Sequence, residues 1–178
     1  MVIQCSALTQ HGYYPDTVER ENQDSFCIKT QIQGNPNVHF FGVFDGHGQI
    51  GARCSNFVKD RLIEMLSGDF ALLDDPQKAY NSAFLATNSE LHNSEIDDTT
   101  SVTTSIIVLV VGDTIYVANV GDSRAVMVVK DGDRILAEDQ TPFRKDEYER
   151  VKLCGARVLS VDQVEGLKCW SKVQRPII

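Results

Sequence analysis

The chain has 178 residues, about the length of one domain and enough to bury a sizeable core. Its apolar fraction of 42% and charged fraction of 24% are ordinary for a globular protein, and no stretch has the apolar length needed to cross a bilayer. The net charge of −8 argues against nucleic acid or an anionic membrane as the main partner, because both require basic patches.

The cysteines and the first residues predict an intracellular protein. Five cysteines are scattered along the chain without a CxxC pair, which argues against a zinc site and favours a reducing compartment. Met1–Cys5 has neither the basic start nor the apolar core of a secretory signal. We therefore expect the protein in the cytoplasm or the nucleus.

The first predicted elements are three strands. Val2–Gln10 alternates weakly between apolar and polar residues, and Ser25–Gln31 does so more clearly. His39–Phe44 is a short apolar run that ends at a carboxylate. Gly34–Asn37 is a cluster of turn residues, so the second and third strands are expected to form a hairpin.

Two amphipathic helices are predicted next. In Ile50–Leu66 and again in Pro76–Leu91, apolar residues recur at steps of three and four. Gly68 is a natural end for the first helix. Each helix has one apolar stripe, so each is expected to cover a face of a sheet.

The following segment is rich in strand signals. Ser105–Val111 is a continuous β-branched run, long enough for a strand with both faces buried, and a Gly-Asp turn leads into its partner, Thr114–Val120. Ala125–Val129 and Arg134–Ala137 are expected to complete an antiparallel meander.

A short helix over Lys145–Cys154 completes the predicted elements. The order is strands, two helices, strands and a helix. Segregated runs of this kind favour an α+β fold over an alternating parallel sheet. We predict an antiparallel β-sandwich flanked by helices.

The end of the third predicted strand is the strongest candidate for a functional site. Asp45 follows the apolar run directly, and Gly46 and Gly48 enclose His47. Gly46 would allow a backbone carbonyl to approach a ligand, and a carboxylate with a carbonyl is a plausible part of a site for a hard divalent cation. Asp and Gly are also ordinary turn residues, so a turn in which Asp45 binds local amides is the alternative.

Three further residues could join Asp45. Asp24 opens one predicted strand where Asp45 ends another, so the two carboxylates would meet if the strands are neighbours; a capping role is the alternative. Arg20 could carry a guanidinium to a phosphate at the same place, or it is a solvated surface residue. His47 could donate a proton to a leaving group.

A second loop and the missing motifs limit the chemistry. Gly121–Arg124 could bind phosphate, although loops with so little glycine are usually plain turns, in which Arg124 would pair with Asp122 or another acid. The sequence contains no GxxxxGK[ST], GxGxxG, HExxH or GxSxG. ATP-dependent and nicotinamide chemistry therefore have no support.

Four segments carry a family resemblance that extends from Met1 to about Gly166. Taken in order, they are similar to motifs of the protein phosphatase 2C family, the metal-dependent serine/threonine phosphatases. Their sequences most resemble those of plant-type members. The segments are Asn22–Phe26, Phe41–Gly48, Val117–Ala125 and Glu138–Pro142, the last followed by Tyr148–Val151 and Gly155–Val158.

The resemblance implies a β-sandwich with two Mg²⁺ or Mn²⁺ ions, where a metal-activated water attacks phosphoserine or phosphothreonine in a phosphoprotein substrate. By position, Asp45 would bridge the two ions and Gly46 would offer its carbonyl to one of them. Asp24 would hold a metal-bound water, and His47 would be the general acid for the departing alcohol. Arg20 is the candidate phosphate clamp, although its spacing to Asp24 is shorter than in many members.

Two features depart from the family pattern. Val102 stands where the family usually has glycine, which is expected to cost about 1 kcal/mol or more if φ is positive there. The resemblance also fades after Gly166, and Lys168–Ile178 contains no acid. We therefore expect residues 1–166 to be the N-terminal part of a catalytic domain and residues 167–178 to be a divergent tail.

Two hypotheses of function follow. The first is a metal-dependent phosphatase whose activity would be impaired, because the distal metal aspartates are missing and two carboxylates hold two ions weakly. The second is a non-catalytic pseudo-phosphatase or regulatory binding module of the same fold. The oligomeric state stays open.

Overall fold

The structure is a computed structural model that describes residues 3–13, 15 and 21–159. The chain divides into two units, Met1–Asp139 and Gln140–Ile178. Within the described residues, the first unit has eight strands and two α-helices. The strands are β1 (Ser25–Thr30), β2 (Val38–Phe44), β3 (Gly46–Gly48), β4 (Ser101–Thr103), β5 (Ser105–Val111), β6 (Thr114–Val120), β7 (Val126–Val129) and β8 (Gly132–Ile135), and the helices are α1 (Gly51–Gly68) and α2 (Pro76–His92).

The main sheet is antiparallel and has the strand order β1-β2-β5-β6. The predicted hairpins β1–β2 and β5–β6 are both present, with Ser25 opposite Phe44 and Val111 opposite Thr114. β3 pairs with β4 in a two-stranded sheet, and β7 pairs with β8 in another. The predicted meander is therefore interrupted after β6, because Gly121–Ala125 forms a loop without ladder pairing.

The predicted strand at Val2–Gln10 is wrong for its described residues. Residues 3–10 adopt no strand, and most of them are exposed. Leu8, for example, is 89% exposed. A weak alternation of apolar and polar residues does not provide a neighbouring strand to pair with. It therefore predicts a strand poorly where no apolar surface is buried.

Both helices form where the apolar spacing predicts them. In α1 the buried positions Cys54, Val58, Leu62 and Leu66 recur at four-residue steps. α2 begins at Pro76, whose fixed φ suits the first turn of a helix, and the Asp75 side chain accepts a hydrogen bond from the Lys78 amide.

The core lies between the helices and one face of the main sheet. Phe40 and Phe44 of β2 and Ile107 and Leu109 of β5 pack in one cluster with Leu62. All five side chains are almost fully buried. Arg61 of α1 donates two hydrogen bonds to the Glu90 carboxylate of α2, at 2.6 and 2.8 Å, and so joins the helices at the surface.

The opposite side of the main sheet, called here the outer sheet face, is also apolar. The register places Val43 opposite Phe26 and Ile106, and Phe41 opposite Ile28. Val43 is 49% exposed and Phe26 is 41% exposed. Among the described residues of the first unit, the sheet thus has apolar residues on both sides, and α1 and α2 pack on one of these sides.

The second unit contains α3 (Lys145–Leu153), close to the prediction. Asp146 lies in its first turn and Lys152 in its last, an arrangement that suits the helix dipole. Arg150 pairs with Glu147 one turn away. Antiparallel sheets with three helices confirm the α+β class.

No helix in the described part of the chain has both the length and the apolar character that a membrane span requires.

Candidate active site

Asp45 occupies the single position between β2 and β3. The fully buried Phe44 anchors the end of β2, so Asp45 emerges at a fixed place and is itself exposed. The Asp45 amide donates to Thr104 Oγ1 at 3.1 Å, and the Thr104 amide donates to the Asp45 carbonyl at 2.9 Å. The backbone of Asp45 is therefore fixed by Thr104, the residue between β4 and β5.

The structure brings Asp24 and Asp45 together. Asp24 precedes Ser25, which lies opposite Phe44, and so the two aspartates flank the same end of the β1–β2 hairpin. The Asp24 carboxyl lies close enough to that of Asp45 for a hydrogen bond between them when one of the two carries a proton. We call this pair the carboxyl rim. In the carboxyl rim the Asp45 carboxyl faces another carboxyl group, whereas in the alternative of a turn it would bind local amides.

Electrostatics at the carboxyl rim disfavour the ionised form of Asp45. Desolvation is the largest cause that raises the pKa of Asp45, followed by the charge and the hydrogen bond of Asp24 and by the charge of Asp122. The charge of His47 opposes this shift. A shared proton relieves such repulsion, and so does a bound cation.

The donor set fits a hard divalent cation in part. Carboxylate oxygens are the ligands that Mg²⁺ and Mn²⁺ prefer, and the carboxyl rim offers those of Asp24 and Asp45. In residues 3–13, 15 and 21–159, no group of three or more His, Cys, Asp or Glu side chains is placed to hold a metal ion. The carboxyl rim therefore supplies part of a ligand set.

Gly46 and Gly48 are required by close packing within the protein. A Cβ on Gly46 would lie 2.4 Å from the Gln23 carbonyl oxygen and 2.5 Å from that of Gly51. Gly48 has φ of +105°, and a Cβ there would lie 2.3 Å from the Thr100 carbonyl oxygen. The backbone that approaches Gly46 closely is thus the protein's own.

His47 lies in β3 opposite Val102 of β4, and both are exposed. Its charge acts on the Asp45 carboxyl, so the side chain is near the carboxyl rim. The strain expected at Val102 is absent: among the described non-glycine residues, only Gln31 and Gln33 have positive φ. The valine is simply a strand residue.

Gln23 is a supporting residue that the sequence did not reveal. Its side-chain amide donates to the Gly48 carbonyl at 2.7 Å, and its own carbonyl accepts from Ser55 Oγ at 2.6 Å. Gln23 thereby joins the residue before Asp24 to β3 and to α1. Its place within the Asn22–Phe26 motif was the available signal.

The loop Gly121–Arg124 lies near the carboxyl rim, but the Arg124 side chain binds elsewhere. Arg124 donates to both carboxylate oxygens of Asp139, at 2.9 and 2.6 Å, so its partner is another acid, one of the expected alternatives. Asp122 acts on Asp45 through its charge. Ser123 Oγ lies 2.6 Å from Thr104 Oγ1.

Arg20 lies outside the described residues, so its role as a phosphate clamp stays a prediction. The same holds for the assignment of Asp24, Asp45, Gly46 and His47 to metal binding and catalysis, for which the structure supplies only the geometry.

Comparisons with known proteins identify the family of the chain. Residues 16–168 match the family model for protein phosphatase 2C. Probable protein phosphatase 2C 35 from Arabidopsis thaliana is 74% identical over 167 residues, covering 92% of this chain and 48% of that protein. Probable protein phosphatase 2C 55 from Oryza sativa subsp. japonica is 36% identical over 155 residues, covering 84% of this chain and 40% of that protein.

A solved structure supports the fold. A crystal structure of a bacterial serine phosphatase variant superposes with a TM-score of 0.60 at 23% identity, covering 68% of this chain and 57% of that one. The chain spans about half the length of the curated relatives that it matches. On the family match and the plant relatives, the chain belongs to the protein phosphatase 2C family.

Proposed function

We propose that this chain is part of a metal-dependent protein serine/threonine phosphatase that hydrolyses phosphoserine and phosphothreonine in phosphoproteins. The observation that carries the proposal is the close approach of the Asp24 and Asp45 carboxyl groups at one end of the β1–β2 hairpin. Membership of the family supports it.

In this proposal the residues at the carboxyl rim have distinct roles. Asp45 and the Gly46 carbonyl would hold Mg²⁺ or Mn²⁺, and Asp24 would hold a metal-bound water. The cation would supply Lewis acidity that activates the water and polarises the phosphoryl group. His47 carries the proton for the departing alcohol oxygen, and its exposed position in β3 leaves it open to a substrate. Arg20 orients the phosphate.

The extent of the catalytic domain is also a proposal. Residues 1–166 would form its N-terminal part and residues 167–178 a divergent tail. An intracellular location, in the cytoplasm or the nucleus, stays a prediction.

The test is hydrolysis of p-nitrophenyl phosphate and of a phosphothreonine peptide by the purified chain, with Mn²⁺ and with EDTA. We expect Mn²⁺-dependent turnover that Asp45→Ala removes and Asp113→Ala retains. Asp113 is a matched control because it is an exposed carboxylate in the β5–β6 turn, at the other end of the sheet.

Absence of Mn²⁺-dependent turnover above the Asp45→Ala level would overturn the enzymatic proposal for this chain. Binding of the phosphopeptide without turnover would then favour the non-catalytic binding module.

A further inference from the structure

Asp45 and Thr104 form a junction between two sheets. Asp45 is the only residue between β2 and β3, and Thr104 is the only residue between β4 and β5. β2 and β5 are neighbours in the main sheet, and β3 and β4 pair in the small one. The two junction residues, 59 positions apart, exchange the hydrogen bonds described above.

The side chain of Thr104 also contacts the loop Gly121–Arg124. Its Oγ1 atom lies 2.6 Å from Ser123 Oγ, within hydrogen-bond distance. Gly121 has φ of +102°, and a Cβ there would lie 2.8 Å from Thr104 Cγ2, so the loop rests on the threonine methyl group. One side chain therefore touches both the Asp45 backbone and the loop that carries Asp122.

The hydrogen-bonding capacity of a hydroxyl group matches these contacts. A hydroxyl has one hydrogen to donate and two lone pairs. Thr104 Oγ1 accepts from the Asp45 amide and shares a hydrogen bond with Ser123 in which either oxygen can be the donor. Valine has a similar shape but can form neither hydrogen bond. Replacing Thr104 by valine therefore removes the effect of the hydroxyl and keeps the packing of the side chain.

We propose that Thr104 is a positioning residue of the candidate metal centre, because its hydroxyl sets the Asp45 backbone and ties it through Ser123 to the loop Gly121–Arg124. The inference rests on the proposed function, in which Asp45 binds a divalent cation. Groups that orient a metal ligand commonly change metal affinity by about 10- to 100-fold when removed.

The first test measures Mn²⁺ affinity by titration calorimetry. Thr104→Val is expected to weaken binding about tenfold or more, and Thr104→Ser, which keeps the hydroxyl, is expected to stay within about threefold of the wild type. Ser123→Ala is expected to weaken binding as well. Thr114→Val is the matched control, since Thr114 is exposed at the far end of the sheet.

The second test is amide hydrogen exchange without metal, with strand amides of β2 and β5 as the reference for global destabilisation. Thr104→Val should speed exchange at the Asp45 amide relative to that reference. Thr104→Ser and Ser123→Ala should leave this amide protected, because the acceptor on residue 104 is retained.

The two tests separate the inference from the proposed function. Unchanged exchange at Asp45 in Thr104→Val would overturn the positioning role, and so would faster exchange with unchanged Mn²⁺ affinity. A wild-type chain that binds no Mn²⁺ would overturn the metal site of the proposed function, and the exchange result would still decide whether Thr104 holds Asp45.

Discussion

At the scale of residues, the site is built from backbone placement as much as from side-chain chemistry. Asp45 is exposed, yet its amide and carbonyl are both bound by Thr104. Gln23 fixes the chain next to Asp24 in a similar way. Two like carboxyl groups are thereby held together even though their charges repel each other.

The desolvation of Asp45, together with the charge of Asp24, predicts that substitution of Asp45 stabilises the fold in a pH-dependent way. The folded state raises the pKa of this carboxyl, so the wild-type fold loses stability as pH rises through that pKa. In EDTA at pH 7, Asp45→Asn should raise the free energy of unfolding, by no more than about 1 kcal/mol because the site is solvent-exposed. The gain should vanish as the pH falls to about 3.9, the pKa of an aspartate in the unfolded chain.

Urea unfolding of both proteins between pH 4 and 8 measures this difference, with Asp113→Asn as the control that should show none. A lower stability of Asp45→Asn at pH 7 would contradict the electrostatic account.

Gly46 gives a second prediction at this scale. A methyl group at this position would overlap the backbone at Gln23 and Gly51, so Gly46→Ala should destabilise the fold by about 1–3 kcal/mol. Gly68 is the control, because a Cβ there meets nothing within 4 Å. Gly68→Ala should be neutral or stabilising by up to about 1 kcal/mol in urea unfolding.

At the scale of elements, segments with a clear apolar pattern could be predicted, whereas β3 and β4 could not. Ser105–Val111 has the predicted bounds because it is a β-branched run that ends at the Gly112-Asp113 turn. β3 and β4 were missed, since Gly-His-Gly has no apolar alternation. The pairing of Asp24 with Asp45 follows from the hairpin, whereas the role of Thr104 depends on the β2–β5 pairing, which no local pattern specifies.

The burial of α1 gives a prediction for the helix-to-sheet packing. Leu62 is 0% exposed and packs in the core cluster, so Leu62→Ala should cost about 2–5 kcal/mol through lost contacts and a cavity. Leu85 of α2 is 74% exposed, and Leu85→Ala should change stability by no more than about 0.5 kcal/mol. Equal losses in thermal or urea unfolding would contradict the assigned core.

At the scale of the whole molecule, the outer sheet face predicts a tendency to associate. Val43 of β2 lies on this face between Phe26 of β1 and Ile106 of β5, and it is 49% exposed. Val43→Lys should lower the fluorescence of a bound apolar dye and raise the temperature at which light scattering begins, because a charge on a sheet face opposes association. Val128→Lys is the control, since Val128 of β7 is 77% exposed. It should change the dye fluorescence and the onset temperature of light scattering less than Val43→Lys does.

The junction of Asp45 and Thr104 has a consequence for synthesis of the chain. The carboxyl rim needs β1 and β2, but its fixed geometry also needs Thr104 and Ser123, which follow after both helices. A nascent chain that has emerged only as far as α2 therefore has both aspartates but lacks Thr104, the residue that holds the backbone of Asp45. Cation binding at Asp45 would then report that the β2–β5 pairing has formed, and its free energy would add to that late, long-range step of folding.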